Sequence, residues 1–149
     1  MSVFRFKLQP VLDHREMIEQ QKQRVVAVLE ADRLRLENLI RDCQRALLEE
    51  SAAMRECLGL SNIRGVRQQA AASMRLTVTA QRAAIELAGV LKRIETARAD
   101  LLAASKRRKA VELLRERRHE DWMLEQSRRE LAAVDELMVM RAGSRGEET

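Results

Sequence analysis

The sequence predicts an all-α protein: two long helices folded into an antiparallel coiled-coil hairpin, the second helix longer than the first. Three features predict it. Apolar residues recur every three to four positions for almost the whole chain, with charged residues between them. Only the segment from Gly59 to Gly65 breaks that pattern sharply. The composition is that of long helices, with 2% aromatic and 34% charged residues and a dominance of Ala, Leu, Glu and Arg. Disorder is the competing reading of so much charge. It fails because 46% of the residues are hydrophobic and they are regularly placed, enough to bury a stripe.

The chain opens with a short lead-in, residues 1–8. Pro10 suits a first helical turn, where its missing N–H costs nothing. Helix one is therefore predicted over 9–58, with no Gly or further Pro inside it. Its expected seam is Leu8, Val11, Ile18, Val25, Leu29, Leu36, Leu39, Cys43, Ala46, Ala53, Cys57 and Leu60, a seven-residue repeat. The turn spans 59–65. Gly59 is expected to end helix one in a left-handed conformation, and Ser61 or Asn62 to cap the start of helix two. A connection this short favours antiparallel neighbours.

Helix two is predicted over 63–141, with its clearest seam at Leu87, Val90, Ile94, Ala97, Leu101, Ala104 and Val111. The hairpin as a whole covers 9–142, and the polar, Gly-rich residues 143–149 are expected to form a flexible tail. Polar residues fall on core-type positions at Arg15, Lys22, Asp32 and Glu50 in helix one and at Arg108, Arg115 and Arg118 in helix two. They predict tight packing near the turn and a looser, more polar section near the termini.

The unequal arms carry the functional expectation. Helix one offers about 50 residues, roughly 75 Å, and helix two nearly 80, roughly 120 Å. Folded back, helix one ends opposite about residues 112–116. The stretch from Glu116 to Arg141 then has no partner within the chain except the lead-in residues Val3, Phe4 and Phe6. It nevertheless carries Trp122, Leu124, Leu131, Val134, Leu137, Met138 and Val139. An isolated amphipathic helix is marginal in water, so this face predicts a cover: the lead-in, a second copy, or a different protein.

Catalytic constellations are missing. His14 and His119 are the only histidines, and no Cys–His or zinc-ligand spacing forms. No Gly-rich phosphate loop precedes a Lys-Ser or Lys-Thr. Paired carboxylates such as Glu49-Glu50 and Asp135-Glu136 fall on solvated faces. Cys43 and Cys57 lie about 21 Å apart along one helix, too far to pair, and read as small apolar residues in a reducing compartment. No enzymatic activity, cofactor, metal or small-molecule substrate is expected. The longest apolar run is too short to cross a bilayer, and the first residues do not form a secretory signal.

The net charge is +5 and the pI ≈ 9.9, and Arg outnumbers Lys. The densest block is Lys106-Arg107-Arg108-Lys109, followed by Arg115, Arg117 and Arg118, interleaved with Glu112, Glu116, Glu120, Asp121 and Glu125. It reads either as a solvated face of weak ion pairs or as an arginine surface that docks an acidic partner. Nucleic acid is disfavoured, because the interleaved acid and the shortage of stacking aromatics suit neither duplex nor single strand.

Both ends of the chain carry a more specific signal. The start reads Phe4-Arg5-Phe6-Lys7-Leu8-Gln9-Pro10-Val11-Leu12, then Arg15 and Glu16. Downstream come Arg108-Lys109, Glu112, Leu114, Glu116, Arg117, Trp122, Glu125, Arg128, Glu130 and Asp135-Glu136. These segments resemble the FliJ family, the stalk proteins of flagellar type III protein export. The resemblance implies a non-enzymatic helical hairpin that couples the export ATPase hexamer to the cytoplasmic domain of the membrane export gate and binds export chaperones. It implies a cytoplasmic protein peripherally associated with the inner membrane at the flagellar base. It also implies an ATPase-facing surface at Phe4, Phe6, Arg107, Arg108, Lys109, Arg115, Arg117, Arg118, Trp122, Leu124, Leu131 and Met138. The corresponding gate-facing candidates are Met74, Leu76 and Val78. The alternatives are the injectisome counterpart, with the same hairpin and ATPase partner, and a basic coiled-coil nucleic-acid binder.

Overall fold

Two helices, α1 (Gln9–Gly59) and α2 (Ile63–Gly146), account for nearly all of the computed structural model and form a hairpin. The structure describes residues 3–146, with side chains as far as Arg141. Among the described residues there is no strand. α1 has 51 residues and α2 has 84, so the predicted inequality of the arms holds. α2 continues past Arg141 to Gly146, and residues 147–149 of the expected tail lie outside the described part.

From Leu87 to Val111 the inward side of α2 is the predicted one, and the same repeat extends back to Val66. Val66, Gln69, Ser73, Leu76, Ala80, Ala83, Leu87, Val90, Ile94, Ala97, Leu101, Ala104, Arg108 and Val111 are all buried or half-buried, in alternating steps of three and four. α1 corrects the prediction. Its inward line runs from Leu8, just ahead of the helix, through Leu12, Arg15, Glu19, Lys22, Val26, Leu29, Arg33, Leu36, Ile40, Cys43, Leu47, Glu50, Met54 and Cys57, while the expected Ile18, Ala46 and Ala53 are half-buried at its edge. One stripe of the heptad is as expected, through Leu8, Leu29, Leu36, Cys43 and Cys57. The other follows it by four residues rather than three. Val11 is therefore 40% exposed where Leu12 is 2% exposed. Val25 and Leu39 are exposed for the same reason, and Leu60 is exposed in the turn beyond the end of α1. One residue is about 100° of helix, so a single-step shift turns a side chain from the seam to its flank.

The chain divides into two compact units, Gln20–Ala103 and the remainder, which joins the N-terminal residues up to Glu19 with those from Ala104 onward. In the Gln20–Ala103 unit the core is Leu36, Ala83, Val90 and Ile94, with Leu29, Ile40 and Leu87 packed against it. Small Ala83 and Ala97 on α2 face larger aliphatic residues on α1. That alternation lets the layers fill without large aromatic side chains. Ion pairs flank the seam: Lys22 with Asp100 at 3.5 Å, Arg35 with Glu86 at 3.5 Å, and Glu30 with Arg98. Each is antiparallel in sense, since later α1 residues meet earlier α2 residues. They are largely exposed, so they help orient the helices more than they stabilise them.

The tightest packing lies mid-unit, not beside the turn as expected. From Leu47 to Ala80 no residue is fully buried, and the buried Oε2 of Glu50 has no hydrogen-bond partner among the described residues. A charge-bearing residue at a seam position keeps this end looser than its Ala content suggested.

The end of α1 differs from the expectation, while the expected cap of α2 at Asn62 is present. Gly59 stays helical, and the left-handed residue is Ser61, at φ 55°. The Asn62 amide donates to the Cys57 carbonyl at 2.9 Å and the Ser61 amide to the Leu58 carbonyl at 3.1 Å. This pair of bonds is a Schellman motif. Asn62 then caps α2: its Oδ1 accepts from the Gly65 amide at 3.0 Å. A Cβ on Gly65 would sit 2.7 Å from the Cys57 sulfur and 2.8 Å from Asn62 Nδ2. The end of α1 therefore presses on the start of α2, and only glycine leaves room for the capping side chain.

Candidate docking surface

The unit that holds both ends of the fold contains the aromatic residues. Phe6 is buried, as are Leu12 and Ala104. The lead-in bends into α1 through a bond from the Gln9 amide to the Phe6 carbonyl at 3.1 Å. Phe4 meets His119 edge-on, with ring centroids 5.0 Å apart, and lies 5.9 Å from Trp122. His119 and Trp122 are 6.0 Å apart. Edge-to-face and tilted pairs at such separations are favourable beyond their buried area. Trp122 is half-buried as a result. Of the covers foreseen for the overhang, the lead-in therefore takes the section down to Trp122. Phe4, Phe6 and Trp122 form an internal clasp that presents α2 rather than a free anchor.

The basic block divides as sharply. Arg108 is half-buried at a seam position, where its Nε donates to Glu19 across the hairpin and its Nη1 donates to Glu112 at 2.6 Å. The Glu19 hydrogen bond is the main influence that raises Arg108 above the ordinary arginine pKa; slight burial opposes it, and the charges of Glu19 and Glu112 add to it. The Arg108 charge is thus committed inside the fold. Arg107, Lys109, Arg115 and Arg117 are exposed, and no carboxylate lies within ion-pair distance of them among the described residues. Arg115 lines a shallow groove with Phe4, Glu112, Glu116 and His119. Arg118 is exposed and sits 6.0 Å over the Phe6 ring, a cation–π contact at the outer limit of range. Arg115 and Arg118 continue the seam repeat, yet stay in solvent because only the short lead-in faces them.

Beyond Trp122 the chain offers apolar side chains without cover. Leu124, Leu131, Val134, Leu137 and Met138 are all exposed, Leu131 at 66%. In the other unit, the three gate-facing candidates separate. Leu76 points into the seam, while Met74 and Val78 stand exposed along a shallow groove with Ala71, Arg75, Thr79 and Arg82. Spacing could not make these distinctions, because commitment of Arg108 and burial of Phe6 depend on the facing chain.

Among the described residues no cluster of His, Cys, Asp or Glu is placed to hold a metal. No helix there is long and apolar enough to cross a membrane. Cys43 and Cys57 are both free thiols. The two unequal helices and these surfaces define a class: a helical-hairpin protein that lays out basic and apolar side chains along its helix faces. The family model described as Flagellar FliJ protein matches residues 4–147, and the chain belongs to that family. The family is a non-catalytic component of flagellar export, which makes this an export-related protein of the flagellum. Comparison with curated proteins and with solved structures gave no match.

Proposed function

We propose that the chain is the coupling stalk of the flagellar export apparatus, which engages the export ATPase ring through the unit holding its two ends. The observation that carries this reading is the division of the basic block. Arg108 is consumed by Glu19 and Glu112, while Arg107, Lys109, Arg115 and Arg117 are exposed, with no ion-pair partner among the described residues. Exposed guanidinium groups on a slim helical surface suit the carboxylates lining the inside of a protein ring. The Phe4–His119–Trp122 clasp holds the lead-in against α2 and stiffens the surface that would enter the ring. In this reading Met74 and Val78 face the cytoplasmic domain of the export gate, Leu76 supports them from the seam, and export chaperones dock on the same protein. It works at the cytoplasmic face of the inner membrane. The injectisome counterpart is disfavoured by the family match.

The test is the double charge reversal R107E/R117E, which leaves Arg108, Arg118 and the aromatic clasp intact. Titrated against the purified export ATPase at low salt, the variant is expected to bind at least about tenfold more weakly, as loss of charge-assisted contacts requires. Equal affinity for variant and wild type would remove the basic face from the ATPase contact.

A further inference from the structure

Trp122 marks the end of the hairpin seam on α2, which runs through Ala104, Arg108 and Val111 within its unit. Two residues further on, Leu124 starts a second apolar stripe, Leu124, Leu131, Val134 and Met138, flanked by Met123 and Leu137. Two residues turn a helix by about 200°. The new stripe therefore faces nearly away from the seam and from the side on which the lead-in packs. Residues 3–19 cover the seam side, so they leave this stripe to solvent.

The charges beside the stripe indicate what covers it. With Leu124, Leu131 and Met138 as one core line and Ser127 and Val134 as the other, the flanking positions hold Arg128 and Asp135 on one side and Glu130 on the other. Two such segments in parallel would set Glu130 against Asp135 of the other copy, a like-charge contact. In antiparallel pairing Leu131 of one copy meets Val134 of the other, and Arg128 meets Asp135 twice through the two-fold axis. The pairing within the chain leaves these groups available. Arg129 is held by Glu125 at 2.6 Å, whereas Arg128 and Asp135 have no ion-pair partner among the described residues.

We propose that this outward stripe of α2 is a self-association surface. Two copies of the chain pair there antiparallel, in the register that joins Leu131 to Val134 and Arg128 to Asp135. The surface is short, so the dimer is weak and reversible, and it is separate from the basic face assigned to the ATPase. Self-pairing would shield exposed aliphatic side chains while the stalk is unengaged.

The experiment is sedimentation equilibrium on the full chain, from low micromolar to near-millimolar concentration, with circular dichroism to confirm helicity. Wild type is expected to move from monomer to dimer with concentration, and L131D to stay monomeric. R128D is expected to raise the dimer dissociation constant by about tenfold or more, since two like-charge contacts replace two opposite ones. R128D/D135R should restore it. A wild type that is monomeric throughout would overturn the proposal. So would a dimer indifferent to L131D, or a charge swap that fails to recover association. None of these readings involves the ATPase, so they leave the stalk proposal to its own test.

Discussion

Leu36 and Leu39 are the same residue type on the same helix, three positions apart, and the sequence repeat admits both as seam residues. The structure separates them: Leu36 is 1% exposed, against Ala83, Val90 and Ile94, while Leu39 is 37% exposed. Substitution to alanine removes three carbons at either position. At Leu36 the lost transfer free energy is about 0.8 kcal/mol per carbon, about 2.4 kcal/mol in all. A residual cavity adds to it, bounded by the collapse that a two-helix layer permits. Leu36→Ala is thus expected to cost about 2.5–4 kcal/mol. At Leu39 the side chain already keeps much of its hydration, and the cost should be about 1 kcal/mol or less. For a chain of this size each kcal/mol moves Tm by about 2–4 °C. Thermal melts followed by far-ultraviolet circular dichroism, with urea titrations to give the free energies, should show a clear gap between the variants. Equal losses at both positions would refute the four-residue step between the stripes of α1, and with it the arrangement of every side chain on that helix.

The turn and the clasp give two further expectations. Ser61 holds a left-handed conformation that costs an L-residue about 1–2 kcal/mol, so Ser61→Gly should stabilise the hairpin by about 0.5–1 kcal/mol in urea titration; a loss of stability would mean that the Ser61 side chain has a role the backbone geometry does not reveal. Phe4→Ala removes the ring packed on His119 and Trp122, so the single tryptophan should show red-shifted emission and faster acrylamide quenching while helicity is kept. An unchanged spectrum would place Trp122 outside the clasp.

The register of α1 shows why sequence reasoning stopped where it did. On this helix the apolar residues come in adjacent pairs: Val11 and Leu12, Val25 and Val26, Leu39 and Ile40, Ala46 and Leu47, Ala53 and Met54. Either member of each pair satisfies a heptad, so the repeat fixed the period and left its phase open by one residue. α2 also carries adjacent apolar pairs, such as Val90-Leu91 and Leu101-Leu102, yet there the seam expected from Leu87 to Val111 is the one that turns inward. The basic block was legible as a block, but nothing in its spacing separates Arg108, bound to Glu19, from Arg107 beside it. The lead-in aromatics and Trp122 were visible as a cover in search of a surface, though not as a closed cluster.

Helix, break, longer helix, the heptad period, the family likeness at both ends and the exposed apolar stretch beyond Trp122 are local or periodic properties, which the order of residues determines by itself. Which face of α1 turns inward, which arginine is spent inside the fold, and which residue of the turn adopts the left-handed conformation depend on the opposite helix of the hairpin. Those choices were made by tertiary packing, because a side chain a single residue out of phase points about 100° away from its partner.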